Sequence, residues 1–261
     1  GDDEFEPGGD EPMPTLPVVR ESMSIAQPGT PTFSTNTPPP WLQVVHGVGK
    51  LDEAHFTAGA LVLDKTVVVY EPPQPAKKGG ALEAEEPALM TVLKAHKYWK
   101  ERLPWPSPEG VYAREFATEA EAIKAGMITR FPPRNHPDSN DRSKWPNCGE
   151  AAVLYILLQE PEGVEDRSYY MIPIAGKWYA PARFAIDKTS YAELAPTIAK
   201  ADTYSHRILG LPSATFALTT KTVKIKSTGN FTWVPTARVA STKTEAEIKA
   251  IYDLFGPKKA E

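Results

Sequence analysis

Aromatic and cationic side chains lie side by side at four places in this 261-residue chain, a pairing that suits the binding of nucleic acid. A planar ring can stack on a base of any identity, and a neighbouring lysine or arginine can follow the phosphates. Any one such cluster is also typical of a core aromatic residue beside a solvated lysine or arginine. The presence of four clusters is what favours single-stranded DNA as the ligand. One cluster is Arg142, Lys144 and Trp145, and the other three supply the candidate binding residues Lys97, Trp99, Lys100, Arg102, Lys177, Trp178, Tyr179, Arg183, Lys221, Lys224, Lys226, Phe231 and Trp233.

The charge of the chain is polarised from one end to the other. Residues 1–21 contain seven carboxylates and one arginine, a net charge of −6, whereas residues 177–259 contain thirteen basic and six acidic residues, a net charge of +7. The overall charge of −4 conceals this division. An acidic arm beside a basic body predicts a groove for a polyanion, with the arm competing for that groove.

Sequence signatures of catalysis are missing. The chain has no Walker loop, dinucleotide fingerprint or nucleophile elbow, and its five histidines do not have the spacing of metal ligands. The single cysteine, Cys148, precedes an apolar run, which favours a small buried hydrophobe over a nucleophile. We therefore expect a protein that is not an enzyme and that uses no metal or cofactor.

The composition also bears on location. No stretch approaches the ~20 apolar residues of a membrane span, and the acidic N-terminus is unlike the basic start of a secretory signal. The sequence predicts a cytoplasmic protein that makes no membrane contact, and it leaves self-association open.

The first half of the chain reads as an arm followed by strands. Residues 1–40 are rich in proline and acid and predict a disordered arm, while β-rich runs begin at Trp41 and continue to Tyr70. A low-complexity stretch at about 71–88 predicts a flexible insertion, and residues 89–105 fit either a helix or a strand. Thr118 and Glu121 form a capping box that predicts a short helix.

The second half alternates strands with helix signals. Residues 130–149 predict a second flexible insertion, and strands are expected at 151–158, 169–174, 178–186, 214–226 and 231–239, with turns at 175–177 and 229–230. Ser190 with Glu193 predicts the cap of a helix that runs to about Leu209, bent at Pro196. Thr242 and Glu245 predict the cap of a last helix. Residues 41–256 therefore read as one β-rich domain with a few helices, followed by the tail 257–261.

The order of these elements resembles the single-stranded DNA-binding class of bacteriophage replication and recombination proteins. The resemblance covers about 41–240 and rests on the segments Trp41-Leu42-Gln43-Val44-Val45, 59–69, His96-Lys97-Tyr98-Trp99-Lys100, Ile172-Pro173, Thr189-Ser190-Tyr191, 216–226 and 229–235. It implies an OB-fold-like barrel with insertions. It also implies single-stranded DNA as the partner, and replication proteins as partners of the acidic arm.

Two features depart from that class. Its members often carry a cysteine-rich metal knuckle where this chain has only Cys148, so the resemblance implies no zinc here. Their acidic tail lies at the C-terminus, whereas this chain has its acid first and ends in Pro257-Lys258-Lys259-Ala260-Glu261. The alternative to DNA binding is a virion or assembly protein in which the β-rich body packs against copies of itself.

Overall fold

One sheet of ten strands organises the described part of the chain, and the computed structural model describes residues 38–46, 56–73, 86–104, 107–164, 166–225 and 229–255. Its strands are β1 (Trp41–Val44), β2 (Leu61–Leu63), β3 (Val67–Tyr70), β4 (Ala88–Glu101), β5 (Glu115–Phe116), β6 (Cys148–Gln159), β7 (Ile172–Ile174), β8 (Lys177–Asp187), β9 (Ala214–Lys224) and β10 (Phe231–Thr242). Within the same ranges the α-helices are α1 (Glu119–Lys124), α2 (Lys188–Lys200) and α3 (Glu245–Phe255). The protein is mainly β with few helices, as the sequence predicts.

The strands follow the order β10-β9-β4-β6-β8-β1-β2-β3, with β5 beside β4 and β7 beside β8. Neighbours are antiparallel except for β1 and β8, which are parallel. The sequence of segment 89–105 is compatible with a helix or a strand, and in the structure most of it forms β4. Nearly the whole length of β4 pairs with β6, and its N-terminal part also pairs with β9. This long pairing overrides its mixed local pattern.

The sheet curls into a half-barrel, so that its β9–β10 side meets the turn before β2. There the Thr220 hydroxyl donates a hydrogen bond of 2.6 Å to the carbonyl oxygen of Gly59, and the Trp233 ring lies directly against this glycine. Gly59 has a φ of +89°, a backbone conformation that glycine adopts without strain. The contact ties one side of the sheet to the other.

Helix α2 fills the inner face of the half-barrel. Its buried Leu194 and Ile198 pack in the main core with Leu154, Phe184 and Phe216 of the sheet. Burying the side chains of this one stripe stabilises the fold by roughly 1.5–3 kcal/mol per large residue. The long strands β6 and β8 are therefore covered on this side.

The start of α2 differs from the prediction. The helix begins directly after β8 with Asp187 at the N-cap and ends at Lys200, where a π-turn over Ala201–Ser205 follows. The predicted capping residue Glu193 instead pairs with Lys221, at 2.6 Å. Asp187 makes no side-chain cap, because its carboxylate binds Lys100.

Helix α3 covers one end of the outer face. Its buried Ile251 packs against Leu157 of β6 and Tyr179 of β8. The helix is capped by Thr244 and Glu247 rather than by the predicted Thr242 and Glu245, since the Glu247 carboxylate accepts from the Thr244 amide at 2.8 Å. Beyond α3, Trp41 of β1, His96 of β4 and Ala185 of β8 are exposed on this outer face.

Several local predictions are confirmed. The Thr118 side chain caps α1, β7 and β8 are joined by the turn at Ala175 and Gly176, and β9 and β10 form a hairpin. The predicted insertion at 130–149 contains two 3-10 turns, Pro137–Asn140 and Arg142–Lys144, and it ends where β6 begins. Most of the arm 1–40, much of the insertion at 71–88 and the tail 257–261 lie outside the described residues.

A buried lysine lies between β9 and α3. The Lys243 ammonium group donates to the Ala214 carbonyl oxygen at 2.9 Å and to the Thr215 hydroxyl at 2.8 Å, and the residue is 7% exposed. Burial is the main reason that the pKa of Lys243 falls to about 8, with Glu247 opposing the shift and Lys177 adding to it. The folded protein therefore releases this proton more readily than the unfolded chain does.

This difference predicts that the protein gains stability as the pH rises above about 8. Between that pKa and the usual 10.5, the unfolded chain holds a proton that the folded state lacks, so the free energy of unfolding increases with pH. Denaturant titrations should show a gain of about 1–2 kcal/mol up to about pH 9.5. Lys243→Met should abolish the rise, whereas Lys249→Met, at an exposed lysine, should leave it intact. A flat wild-type profile would contradict the prediction.

Candidate nucleic-acid interface

The alternation of β4 decides which of its side chains share a face. Successive residues of a strand point to opposite faces, so His96, Tyr98 and Lys100 lie together on the outer face of the sheet. Lys97 and Trp99 lie on the opposite face. The aromatic and cationic cluster of β4 is thus divided in two by the pleat.

The strand register shows which residues of the neighbouring strands lie on this outer face. Tyr155 pairs with Lys94 on one side and with Arg183 on the other, and Arg183 pairs in turn with Trp41 of β1. This row therefore alternates cation and aromatic over four strands. Such a row offers rings for stacking and positive charge for phosphates on the same surface.

The next row has small side chains at its centre. His96 pairs with Val153, which pairs with the exposed Ala185 of β8. Small residues between larger ones leave a depression in the sheet surface. The floor of the depression is apolar and its walls are aromatic and polar.

We name this depression the outer-face groove. It has a volume of about 1130 Å³. Its lining consists of Trp41, Leu42, Gln43, Val44, His46, Lys65, His96, Tyr98, Lys100, Glu115, Phe116, Ala117, Val153, Phe184, Ala185, Asp187 and Ser190. Strand β5 supplies one wall and the turn after β2 supplies Lys65.

Trp41 is the exposed aromatic of the groove wall, with 37% of its surface accessible. The Arg183 guanidinium carbon lies 4.2 Å from the centre of its ring, a cation–π distance. The same guanidinium donates to the Pro39 carbonyl oxygen at 2.7 Å, so Arg183 is held in place from two sides. A base that stacks on Trp41 would meet a ring already fixed in orientation.

The opposite wall is built by His96 and Tyr98. Their rings are stacked, with centroids 6.2 Å apart and planes inclined by 20°. Tyr98 is largely buried and supports the exposed His96 from one side. Burial is the main cause of the raised pKa of Tyr98, which Glu115 and Asp187 raise further against the opposing charge of Lys100. Tyr98 is therefore neutral at physiological pH.

Lys100 lies at the end of the groove and pairs with Asp187 at 2.9 Å. Burial alone would lower the pKa of Lys100, but the hydrogen bond and charge of Asp187 outweigh it and raise the pKa. The lysine is therefore charged, and both partners are about one-third exposed, at 32% and 37%. A phosphate in the groove can compete with Asp187 for the ammonium group.

The candidate residues near β4 and β6 take separate positions. Lys100 and Arg183 lie at the groove, Lys100 in its lining and Arg183 against the Trp41 ring, whereas Lys97 is exposed on the opposite face. Trp99 packs with Cys148 in a small core beside α1, and Arg102 lies against Gly149. Candidate residues that are adjacent in the sequence therefore lie on different surfaces of the protein.

At the start of β8 the candidate lysine forms an ion pair and the two candidate aromatic residues pack against the interior. Lys177 pairs with Glu247 of α3 at 2.7 Å, and Trp178 packs partly buried against the main core. Tyr179 is 2% exposed, and burial raises its pKa to about 12. A ring this deeply buried offers no face to a base, which corrects the expectation for Tyr179.

The remaining candidates lie on the β9–β10 hairpin. Lys221 pairs with Glu193 of α2, and Lys224 is exposed. Phe231 is 70% exposed, while Trp233 packs against Gly59. Lys226 lies outside the described residues.

The groove residues that were not among the candidates include Trp41, Gln43, Lys65, His96 and Tyr98. The period-two pattern would have selected His96 and Tyr98 together with Lys100 if residues 89–105 had been assigned to a strand. Trp41 and Gln43 alternate in the same way around the core residue Leu42. The position of Lys65 depends on the turn after β2 and has no sequence signal.

The described ranges also bear on metal binding and on membrane insertion. They contain no group of three histidine, cysteine or acidic residues placed to hold a metal ion. No helix within them is long and apolar enough to cross a bilayer. Cys148 is buried in the core near α1, and this burial is the main reason that its pKa is raised, as expected for a small hydrophobe.

Comparison with protein-family models, with curated protein sequences and with solved structures found no match to this chain.

Proposed function

We propose that this chain is a non-catalytic single-stranded DNA-binding protein and that it holds the strand in the outer-face groove. The observation that carries the proposal is the combination, on one open sheet surface, of the exposed Trp41 ring, the stacked His96 and the cations Lys100 and Arg183. Stacking is indifferent to base identity and cations follow the backbone, so this combination suits a strand of any sequence.

The size of the groove fits a short segment of single strand. From β4 to β1 the surface crosses three strand spacings of ~4.8 Å, about 14 Å in all. A few bases can lie over this distance, with Trp41 and His96 on opposite walls. The small floor residues Val153 and Ala185 leave room for planar rings.

The charge of the groove supports a polyanion as the ligand. Lys65 and Lys100 line the groove and Arg183 flanks it, against the two carboxylates Asp187 and Glu115. Asp187 is already paired with Lys100, which lowers its repulsion of a phosphate. The positive charge is local, in agreement with an overall charge near neutrality.

The biological setting is part of the proposal. We propose that the protein acts on exposed strands in the host cytoplasm, as its resemblance to phage replication and recombination proteins implies. An OB-like barrel belongs to the same proposal, and it is supported by the mainly β composition and the curled half-barrel sheet.

Tryptophan fluorescence during titration with oligo(dT) tests this function. Stacked bases quench indole emission, and salt weakens phosphate contacts, so we expect saturable quenching at ~50 mM salt that is weaker at ~300 mM. No quenching at either salt, together with no change in the anisotropy of a labelled oligonucleotide, would overturn the proposal.

The acidic N-terminal segment is proposed to compete for the groove. The carbonyl oxygens of Pro39 and Pro40 accept hydrogen bonds from the side chain and the backbone N–H of Arg183, so residues 39 and 40 lie at the groove rim. Residues 1–21, with a net charge of −6, are joined to this rim through residues 22–37, and we propose that they compete for the cationic groove at high effective concentration. When DNA displaces the segment, its carboxylates become free to recruit replication proteins.

Deleting residues 1–21 is expected to tighten oligo(dT) binding about fivefold at low salt, because a tethered polyanion no longer competes. Replacing the seven carboxylates by their amides should reproduce the effect at unchanged length. Anisotropy titrations measure both variants. Unchanged or weaker binding by the deletion variant would refute competition by the arm.

A second candidate function is self-assembly, as in a virion protein. Tyr204, Ile208 and Leu209 are exposed around the turn after α2, and Ile208 is 97% accessible. An apolar contact between copies should persist or strengthen as salt rises, whereas DNA binding should weaken. Sedimentation at the two salts separates these functions.

A further inference from the structure

Gln43 contributes an amide side chain to the lining of the outer-face groove. Its neighbours Leu42 and Val44 pack in the main core, so alternation places Gln43 on the outer face of β1, beside Trp41. It lines the groove together with Val153 and Ala185 of the floor. A base that stacks on Trp41 would therefore have an edge within reach of this side chain.

The side-chain oxygen of Gln43 is buried, and no described residue forms a hydrogen bond with it. Within the described residues the other buried side-chain oxygen of this kind is the Tyr170 hydroxyl, which lies in the core and not in the groove. Buried polar atoms are nearly always paired, so an exception at a binding surface points to a ligand that supplies the missing donor.

We propose that this oxygen accepts a hydrogen bond from the exocyclic amino group of a bound base, so that the groove prefers cytosine or adenine to thymine or uracil. The inference rests on the proposed function, because it names the base that the same groove favours. The contact adds a preference to stacking, which by itself tolerates every base.

The chemistry of the base edges explains why the amino group is the matching donor. In cytosine and adenine it projects from the ring beside an unprotonated ring nitrogen, and glutamine pairs with such an edge by accepting from the amino group. In thymine and uracil the N3 proton lies between two carbonyl oxygens. A glutamine whose oxygen accepts from this proton can donate its amide nitrogen to one of these carbonyl oxygens, but the other one still repels the Gln43 oxygen.

Oligo(dC) and oligo(dU) of equal length form a matched pair of probes, since they differ only at position 4 and in the N3 proton. We expect wild-type protein to bind oligo(dC) about tenfold more tightly, the amount that a buried unpaired acceptor provides. Gln43→Leu should weaken oligo(dC) binding to the level of oligo(dU) and change oligo(dU) binding less than twofold.

Gln159→Leu is the control, because Gln159 lies on β6 outside the groove lining. It should leave the preference unchanged. Equal wild-type affinity for the two probes would overturn the inference while leaving the proposed function standing. Equal weakening of both probes by Gln43→Leu would assign Gln43 a structural role and also overturn it. If neither probe bound, the proposed function itself would fail.

Discussion

Replacing Trp41 by alanine is expected to weaken oligo(dT) binding at least about tenfold, because stacking on an aromatic ring contributes about 1–3 kcal/mol per base. Trp41 is the exposed ring of the groove wall, and Arg183 holds it 4.2 Å away in a cation–π contact. The variant should also lose most of the fluorescence quenching. Anisotropy of a labelled oligonucleotide measures the affinity independently of the missing indole.

Tyr204→Ala is the matched control for this loss. Tyr204 is 76% exposed, in the turn that follows α2, and does not line the groove. Its replacement should leave affinity within twofold. A Trp41 variant with wild-type affinity and a wild-type melting temperature would show that the strand does not stack on this wall.

Replacing Gly59 by alanine is expected to destabilise the protein by about 3–5 kcal/mol, close to the whole stability of many domains. A Cβ atom at this position would lie 2.5 Å from the Trp233 ring, and the φ of +89° strains any other residue. The clash falls where Thr220 and Gly59 tie the two sides of the sheet together. Urea denaturation measures the loss.

The Gly163→Ala variant separates the effect of backbone strain from the effect of the contact that closes the half-barrel. Gly163 also has a positive φ, +70°, but an added Cβ would meet nothing within 4 Å. It should therefore lose only about 1 kcal/mol. Equal losses for the two variants would show that the contact between Gly59 and Trp233 does not hold the half-barrel closed.

Much of the fold was predictable from local pattern. Alternation along β9 and the Gly229 turn predicted the hairpin with β10, and the Thr118 cap predicted α1. The starts of the helices were harder to predict. Ser190 and Glu193 have the spacing of a capping box but do not cap α2. Asp187 precedes the helix instead, and Glu193 pairs with Lys221 across the structure. Tertiary pairing overrode the local signal.

The candidate site was predictable only in part. Adjacent aromatic and cationic residues look like one patch in the sequence, but a strand sends neighbours such as Lys97 and Tyr98 to opposite faces. Which face is open depends on where the helices pack. Helix α3 covers Tyr179 and leaves Trp41 accessible, and no local pattern encodes that difference.

The salt dependence of oligo(dT) affinity tests the central claim most directly. Each phosphate contact contributes a slope of about −0.7 in log affinity against log salt, so removing Lys100 and Arg183 together should make the slope shallower by about 1.4. Lys200→Ala with Lys249→Ala, which removes the same charge elsewhere, should leave it unchanged. Equal slopes for wild type and the Lys100→Ala, Arg183→Ala variant would contradict binding in the outer-face groove.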